Sequence, residues 1–119
     1  MFLLFMVLIL QWNAQSLVAH GNEFKHALNE WNIKPDIICV QETWLKEGKT
    51  FNLYGYNMFR NDRDLSSSKS GGGGCAIFTK KGIAINFVKG KDTSVQYQVA
   101  EVYCKDFEKL NVLATVLIL

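Results

Sequence analysis

The sequence has 119 residues, of which 49% are hydrophobic and 20% are charged, so it is one globular domain at most and not a disordered chain. Its net charge of +2 is too small to indicate nucleic-acid binding by itself. The three cysteines, Cys39, Cys75 and Cys104, lie far apart without CxxC or Cys/His spacing, which excludes a disulfide framework and a structural zinc site. We expect buried free thiols in a reducing compartment.

The chain begins with an apolar run, Met1 to Leu10. The run is too short to span a bilayer, which takes about 20 apolar residues. A signal peptide is the alternative, but the run has no basic region before it and no small-x-small cleavage site before Gln11. Strands covered on both faces are also apolar throughout, and we favour a buried central strand. This interpretation predicts an intracellular protein, nuclear or cytoplasmic, with no membrane span.

A helix and a second strand are predicted next. After a polar turn over residues 14–21, apolar residues recur at i, i+3, i+4 and i+7 in one stripe, namely Phe24, Ala27, Leu28 and Trp31. Asn22 is the expected N-cap, and Pro35 ends the helix. Ile37 to Val40 is then a short β-favouring run. Strand, helix and strand within about 40 residues form a βαβ unit, in which the two strands are parallel.

The second half of the chain predicts an antiparallel meander. Phe51 to Phe59 is a short irregular strand broken at Gly55, and a charged, serine-rich loop from Arg60 to Ser70 leads into four glycines. We interpret this glycine-serine stretch as a loop inside the domain. The turns of the meander are predicted at Lys81-Gly82 and Lys89-Gly90. The strands are predicted at Cys75–Thr79, Ile83–Val88, Val95–Cys104 and Leu110–Leu119.

Polar residues follow the first two predicted strands. Asn13 comes after the first strand and Gln41-Glu42 after the second. Because the carboxyl ends of parallel neighbours lie side by side, an amide and a carboxylate are expected together where α/β sheets bind ligands. Such a pair suits magnesium, which keeps several waters and takes one or two carboxylates. Alternatively, Asn13 caps a turn and Glu42 is a solvated loop acid, and spacing alone supports both interpretations equally.

A series of motifs carries a family resemblance. They are LQWNAQSL (Leu10–Leu17), PDIICVQETWLK (Pro35–Lys46), Gly55-Tyr56, Arg60–Arg63 and GGGGCAIFTKK (Gly71–Lys81). In this order they resemble the endonuclease/exonuclease/phosphatase superfamily. The closest resemblance is to the endonuclease domain that precedes the reverse transcriptase in jockey-like non-LTR retrotransposons. The similarity runs from about residue 8 to residue 103 and implies the N-terminal half of a two-sheet α/β sandwich within residues 1–119.

The resemblance implies roles for two residues. Glu42 corresponds to the metal-binding glutamate, and Asn13 corresponds to the asparagine that orients the scissile phosphate and the metal's waters. The DNA-repair branch has an aspartate where this chain has Gln15, which favours the retrotransposon branch. The implied reaction is hydrolysis of a DNA phosphodiester with Mg²⁺ or Mn²⁺. The implied partners are DNA and a reverse transcriptase domain in a longer product.

The resemblance also implies residues that this chain does not contain. The family's middle Asp-x-Asn and closing Asp-His lie beyond the chain's end, and neither His20 nor His26 matches the catalytic position. His26 is expected on the surface. Leu117 takes the place of a phosphate-contacting tyrosine. The chain alone is therefore expected to be inactive, with a non-catalytic nucleic-acid-binding or vestigial fragment as the alternative.

Four basic residues are candidates for DNA contact. Arg60 and Arg63 fall in a loop that the resemblance places near DNA, although a solvated charged loop is an equal alternative. Lys80 and Lys81 belong to a segment without acids that would suit nonspecific phosphate contacts. Turn lysines that protect strand ends are the commoner explanation. The two tryptophans beside the candidate site, Trp12 and Trp44, are expected to line a pocket by packing.

Overall fold

The structure, a computed structural model, describes residues 8–46, 48–62, 73–91, 95–104 and 107–117, with side chains described as far as residue 83. The described residues form one helix and two sheets. The first sheet has four strands in the order β1-β2-β4-β3, and the second has three in the order β5-β6-β7. The first sheet is built from β1 (Ile9–Asn13), β2 (Ile37–Gln41), β3 (Tyr56–Asn61) and β4 (Cys75–Lys80).

The chain opens with the predicted βαβ unit. β1 and β2 pair in parallel, from Ile9 opposite Ile37 to Asn13 opposite Gln41. Helix α1 (Leu17–Glu30) connects them. The predicted N-cap Asn22 is wrong, since the helix begins five residues earlier. Ser16 caps it by accepting a hydrogen bond from the Ala19 N–H at 3.1 Å.

Gly21 was expected in a turn and lies inside α1 instead. A Cβ at this position would come within 2.2 Å of the Phe51 ring, so a glycine lets that ring pack against the helix. Leu17 and Leu28 are buried on the same side of the helix. At the other end, the Lys34 ammonium donates to the carbonyls of Leu28 and Trp31, which satisfies acceptors that the last turn leaves open.

The first strand differs from its prediction. It runs from Ile9 to Asn13 and lies at the edge of the described sheet, whereas an apolar central strand over Met1 to Leu10 was expected. Met1 to Val7 lie outside the described residues. Backbone pairing with β2 decides the strand's extent, because it starts where Asp36 and Ile37 donate to the Leu8 carbonyl. No helix in the described part of the chain has the length and apolar character needed to cross a membrane.

β4 lies between β2 and β3 and is antiparallel to both. Gly55, with φ 85°, precedes β3, which agrees with the predicted break. Arg60 was expected in the following loop, but it is paired within β3 opposite Ala76. The pairing of Gln41 and Asn61 with Cys75 brings the end of β3 to the carboxyl end of β2.

The second sheet is an antiparallel meander formed by β5 (Ala84–Lys91), β6 (Val95–Cys104) and β7 (Phe107–Leu117). The predicted meander also included Cys75–Thr79, which is wrong, because β4 pairs with β2 and β3 in the first sheet. The predicted turn at Lys89-Gly90 is wrong, because both residues are paired within β5 opposite Gln98 and Tyr97. A glycine in a strand interior is allowed, so the dipeptide alone did not mark a turn. β7 packs near β2, and β6 packs near β4. The architecture is the predicted α/β sandwich of two sheets.

Both faces of the first sheet are buried at its centre. On the helix side, the core contains Ile38, Val40 and Phe78, with Trp12 stacked on Phe24 at 4.5 Å between ring centroids. The opposite face, toward the second sheet, is filled by the residues that alternate with these, Ile37, Cys39, Cys75, Ile77 and Thr79. Burial of both strand faces explains why β2 and β4 are apolar throughout.

Two cysteines confirm the expectation of buried free thiols. Cys39 and Cys75 are buried and unpaired. Burial raises the pKa of the Cys39 thiol to about 11. Burial, then the nearby Asp62 carboxylate and Cys39, raises the pKa of Cys75 to about 12. Both thiols therefore stay protonated and unreactive at neutral pH. The side chain of Cys104 lies outside the described part.

Candidate functional site

The carboxyl ends of β1 and β2 lie side by side, as predicted. Asn13 is the last residue of β1 and is opposite Gln41, the last residue of β2. Hydrogen bonds continue past both strands: Ala14 N–H donates to the Gln41 carbonyl at 2.9 Å, and Ser16 N–H to the Glu42 carbonyl at 3.0 Å. Leu17 N–H donates to the Thr43 carbonyl at 2.9 Å. The start of the helix is therefore fixed to the residues that follow β2.

A third segment joins this edge from the start of β4. Thr43 N–H donates to the Gly74 carbonyl at 3.1 Å, and Trp44 N–H donates to the Gly73 carbonyl at 2.9 Å. Three segments are thus tied together by backbone bonds: residues 13–17, 41–45 and 73–75. We call them the carboxyl edge of the sheet. An edge built in this way holds side chains in fixed positions, as a binding site requires.

The carboxyl edge also concentrates unusual backbone conformations. Four non-glycine residues in the described part have positive φ: Gln15 (45°), Ser16 (93°), Glu42 (56°) and Trp44 (54°). All four lie at this edge. Such conformations cost L residues about 1–2 kcal/mol each and persist where the surroundings enforce them, most often at functional sites. The strain supports the edge as the candidate site independently of its side chains.

The Glu42 carboxylate is held by two donors on one oxygen. The Trp44 indole Nε1–H donates to Oε2 at 2.7 Å, and the Gly73 N–H donates to the same Oε2 at 3.0 Å. No described residue donates to the other oxygen, Oε1. Glu42 is half-buried and so differs from the solvated loop acid considered above. Among the described residues, one oxygen thus has two donors and the other has none.

Asn13 is exposed at the end of β1, opposite Gln41, and its side chain makes no hydrogen bond to any described residue. Within the described residues, Asn13 therefore does not cap the turn that follows β1 with its side chain, and Ser16 caps the helix. The described residues contain no group of three or more His, Cys, Asp or Glu side chains placed to hold a metal. One open carboxylate oxygen and one amide fit a cation that keeps most of its waters, as magnesium does, and not zinc.

Arg60 lies near this edge, but its guanidinium is already bound. It forms an ion pair with Asp62 at 2.7 Å and donates to the carbonyls of Lys46 at 3.2 Å and Lys49 at 2.6 Å. Its side chain is only 28% exposed. Arg60 therefore ties the segment after the QETWL motif to the end of β3. Arg63 lies outside the described residues.

Lys80 and Lys81 are not brought to the candidate site. β4 runs antiparallel to β2, so Lys80 lies at the amino end of β2, where its ammonium is 3.4 Å from the Asp36 carboxylate. Lys81 is exposed in the turn that follows and donates its N–H to the Gly55 carbonyl at 2.9 Å. Lys80 lies opposite Asp36, and the length of β2 separates it from Glu42 by roughly 20 Å.

The remaining predicted residues have mixed outcomes. Trp12 packs against Phe24 as expected. Trp44 differs: it is 41% exposed and acts through its indole N–H. His26 is confirmed as a surface residue, 3.2 Å from Glu30 on the exposed side of the helix. Sequence reasoning missed the contributions of Trp44 and Gly73. The sequence signals for these two residues were weak. Trp44 follows Glu42 by two positions within one motif, and Gly73 belongs to the glycine run before β4.

Two solved structures have similar folds. One is NExo, a 3′ phosphatase from Neisseria bound to a product DNA hairpin, with a TM-score of 0.62 and 18% identity over 91% of this chain and 40% of that chain. The other is NExo, a 3′-5′ exonuclease from Neisseria meningitidis, with a TM-score of 0.54 and 22% identity over 81% of this chain and 41% of that chain. The chain thus spans about 40% of the length of these structures.

A search of curated protein sequences found no match. A model of a protein family covers most of the chain, residues 10–107. The matched range contains β1 except its first residue, α1, all of the carboxyl edge, and the strands β5 and β6 of the second sheet. The chain therefore belongs to the Endonuclease/Exonuclease/phosphatase family.

Proposed function

We propose that this chain supplies the metal-binding and phosphate-binding edge of a magnesium-dependent DNA endonuclease domain of the jockey-like non-LTR retrotransposon type. Family membership indicates nuclease or phosphatase hydrolysis of phosphate esters. One observation carries the proposal further. Glu42 lies at the carboxyl end of two parallel strands, where two donors fix its Oε2 and no described residue donates to its Oε1. In α/β sheets, ligands bind at that end.

The proposal gives each residue a defined role. Glu42 Oε1 holds the cation, and the exposed Asn13 amide donates to a phosphate oxygen or orients a metal-bound water. The bound Mg²⁺ or Mn²⁺ would neutralise the non-bridging oxygens and the leaving group. Helix α1 starts at this edge and has no acidic residue in its first turn, so its dipole favours the phosphate's negative charge.

The water-activating base has no candidate among the described histidines. His26 faces solvent beside Glu30, and the resemblance gives His20 no catalytic role. We therefore assign hydrolysis to a product that also contains an Asp-His pair. The retrotransposon motifs WNA-x-SL and QETWL favour DNA as substrate and a reverse transcriptase as the neighbouring domain.

Manganese binding tests this proposal with the chain as it is. Electron paramagnetic resonance of free Mn²⁺ should reveal one site in the unchanged chain. Glu42→Gln should lower the affinity at least tenfold, because it replaces the only ligating carboxylate with a neutral amide. Glu23→Gln is the matched control, since Glu23 is an exposed glutamate of α1 and loses the same charge.

Equal loss of binding in both variants would show that Mn²⁺ responds only to net charge, which contradicts a site at Glu42. Absence of any Mn²⁺ binding by the unchanged chain would also contradict the proposal. That result would favour the alternative of a non-catalytic nucleic-acid-binding chain.

A further inference from the structure

We propose that Trp44 is a positioning residue for the metal ligand: its indole N–H locks the Glu42 carboxylate in the orientation that presents Oε1 to the cation. This inference rests on the proposed function, because it assumes that Glu42 binds a metal. The inference adds that metal binding by Glu42 requires a neutral hydrogen-bond donor to its Oε2.

The geometry of Trp44 indicates this role. The side chain is 41% exposed, so core packing does not fix it. Its one hydrogen bond joins Nε1 to Glu42 Oε2 at 2.7 Å, which is short for an N–H donor to oxygen. Both residues have positive φ, 54° for Trp44 and 56° for Glu42. Two left-handed backbone conformations, separated by Thr43, thus accompany the hydrogen bond between these side chains.

Gly73 completes a closed set of contacts. It accepts a hydrogen bond from the Trp44 N–H at 2.9 Å and donates its own N–H to Glu42 Oε2 at 3.0 Å. The indole and the amide therefore approach the same oxygen from two different segments. Two donors on one oxygen prevent rotation of the carboxylate, and the second oxygen keeps its orientation without a partner of its own.

The chemical nature of the donor matters. A lysine or arginine at position 44 would hold the carboxylate equally well but would cancel its negative charge. The indole N–H is neutral and cannot accept hydrogen bonds, so it holds Glu42 and leaves the full charge for the cation. Groups that hydrogen-bond to metal ligands in this way change metal affinity by about 10–100-fold when they are removed.

Calorimetric titration of the whole chain with Mn²⁺ tests the inference. Trp44→Phe keeps an aromatic ring and removes the donor, and it should weaken Mn²⁺ binding about tenfold. Trp31→Phe is the matched control, because Trp31 is 39% exposed and lies at the far end of helix α1. The control should bind Mn²⁺ as the unchanged chain does. The thermal unfolding midpoints of both variants should stay close to that of the unchanged chain, which separates positioning from a general structural role.

A second measurement avoids the Trp44 substitution. The Trp31→Phe chain keeps two tryptophans, Trp12 and Trp44, and both lie near the carboxyl edge. Paramagnetic Mn²⁺ bound at Glu42 should quench their fluorescence with a saturable dependence, and Glu42→Gln in that chain should abolish the saturable part. If Trp44→Phe binds Mn²⁺ as tightly as the unchanged chain while Glu42→Gln does not bind, the positioning role is overturned and the proposed function stands. If the unchanged chain does not bind Mn²⁺, both are overturned.

Discussion

At the scale of single residues, the carboxyl edge contains strained backbone conformations, which lower stability but fix the positions of side chains. Gln15 has φ 45° and an exposed side chain with no hydrogen bond to any described residue. Glu42 and Trp44 share this type of backbone but are tied to each other and to Gly73. At Glu42, hydrogen bonds of the side chain offset the cost of the strained backbone. At Gln15, no side-chain bond to a described residue does so.

Replacement of Gln15 by glycine should stabilise the chain. Glycine adopts positive φ without steric cost but loses more entropy on folding, so the expected gain in unfolding free energy is about 0.5–1 kcal/mol. Urea denaturation measures it. Gln11→Gly is the control, because Gln11 is also exposed but lies in β1 with ordinary φ, and there glycine should cost about 0.5–1 kcal/mol. A loss of stability in both variants would show that Gln15 is not strained.

The positions of Glu42 and Asn13 were predictable, but the arrangement around them was not. Their place after two parallel strands follows from chain order and strand pairing. The bond from Trp44 to Glu42 depends on two positive φ angles in residues that normally avoid them. No propensity of glutamate or tryptophan predicts that conformation, because the surrounding backbone bonds impose it.

At the scale of elements, Arg60 links two parts of the chain that no strand pairing joins. It extends from β3 to the carbonyls of Lys46 and Lys49, and Asp62 holds the same guanidinium in place. Arg60 therefore attaches residues 46–49 to the end of β3 by hydrogen bonds. Because Arg60 is only partly exposed, these charge-assisted bonds are worth more than those of a surface ion pair.

Arg60→Lys should release that segment. Lysine has a single donor group and cannot bind two carbonyls and a carboxylate in the arginine's planar arrangement. Limited digestion with trypsin should show cleavage after Lys46 and Lys49 about tenfold faster, equivalent to ~1.4 kcal/mol of local opening. Cleavage after Lys25 in helix α1 is the internal control and should not change. Equal rates after Lys46 in both chains would contradict the tether.

The sequence predicted helices and strands correctly where the hydrophobic pattern agreed with the strand pairing in the structure. β2 and β4 are mostly apolar, β6 alternates apolar and polar residues over its first half, and all three were located to within one residue. The start of helix α1 was missed because Gly21 interrupts the apolar stripe, yet it is required for close packing with Phe51. Lys89-Gly90 resembles a turn in sequence, but cross-strand pairing with β6 extends the strand through it. Tertiary contacts decided both cases.

At the scale of the whole molecule, the two ends of the first sheet differ in how their carboxylates are bonded. At the amino end, Asp36 accepts a hydrogen bond from Leu8 N–H at 2.8 Å and pairs with Lys80, so its carboxylate is occupied. At the carboxyl end, Glu42 Oε1 accepts no hydrogen bond from the described part of the chain. The predicted DNA contacts of Lys80 and Lys81 stay predictions, and they would have to involve nucleic acid beyond the candidate site.

The most direct test of this account is a map of Mn²⁺ on the chain by amide NMR. Paramagnetic broadening should be strongest for Asn13, Gln41 to Trp44, and Gly73. It should be weak at the end of helix α1 near Glu30, roughly 20 Å from the helix start, and at the Asp36 end of the sheet. Broadening centred on Asp36 or on the helix carboxylates, with the Glu42 region unaffected, would contradict a metal site at the carboxyl edge.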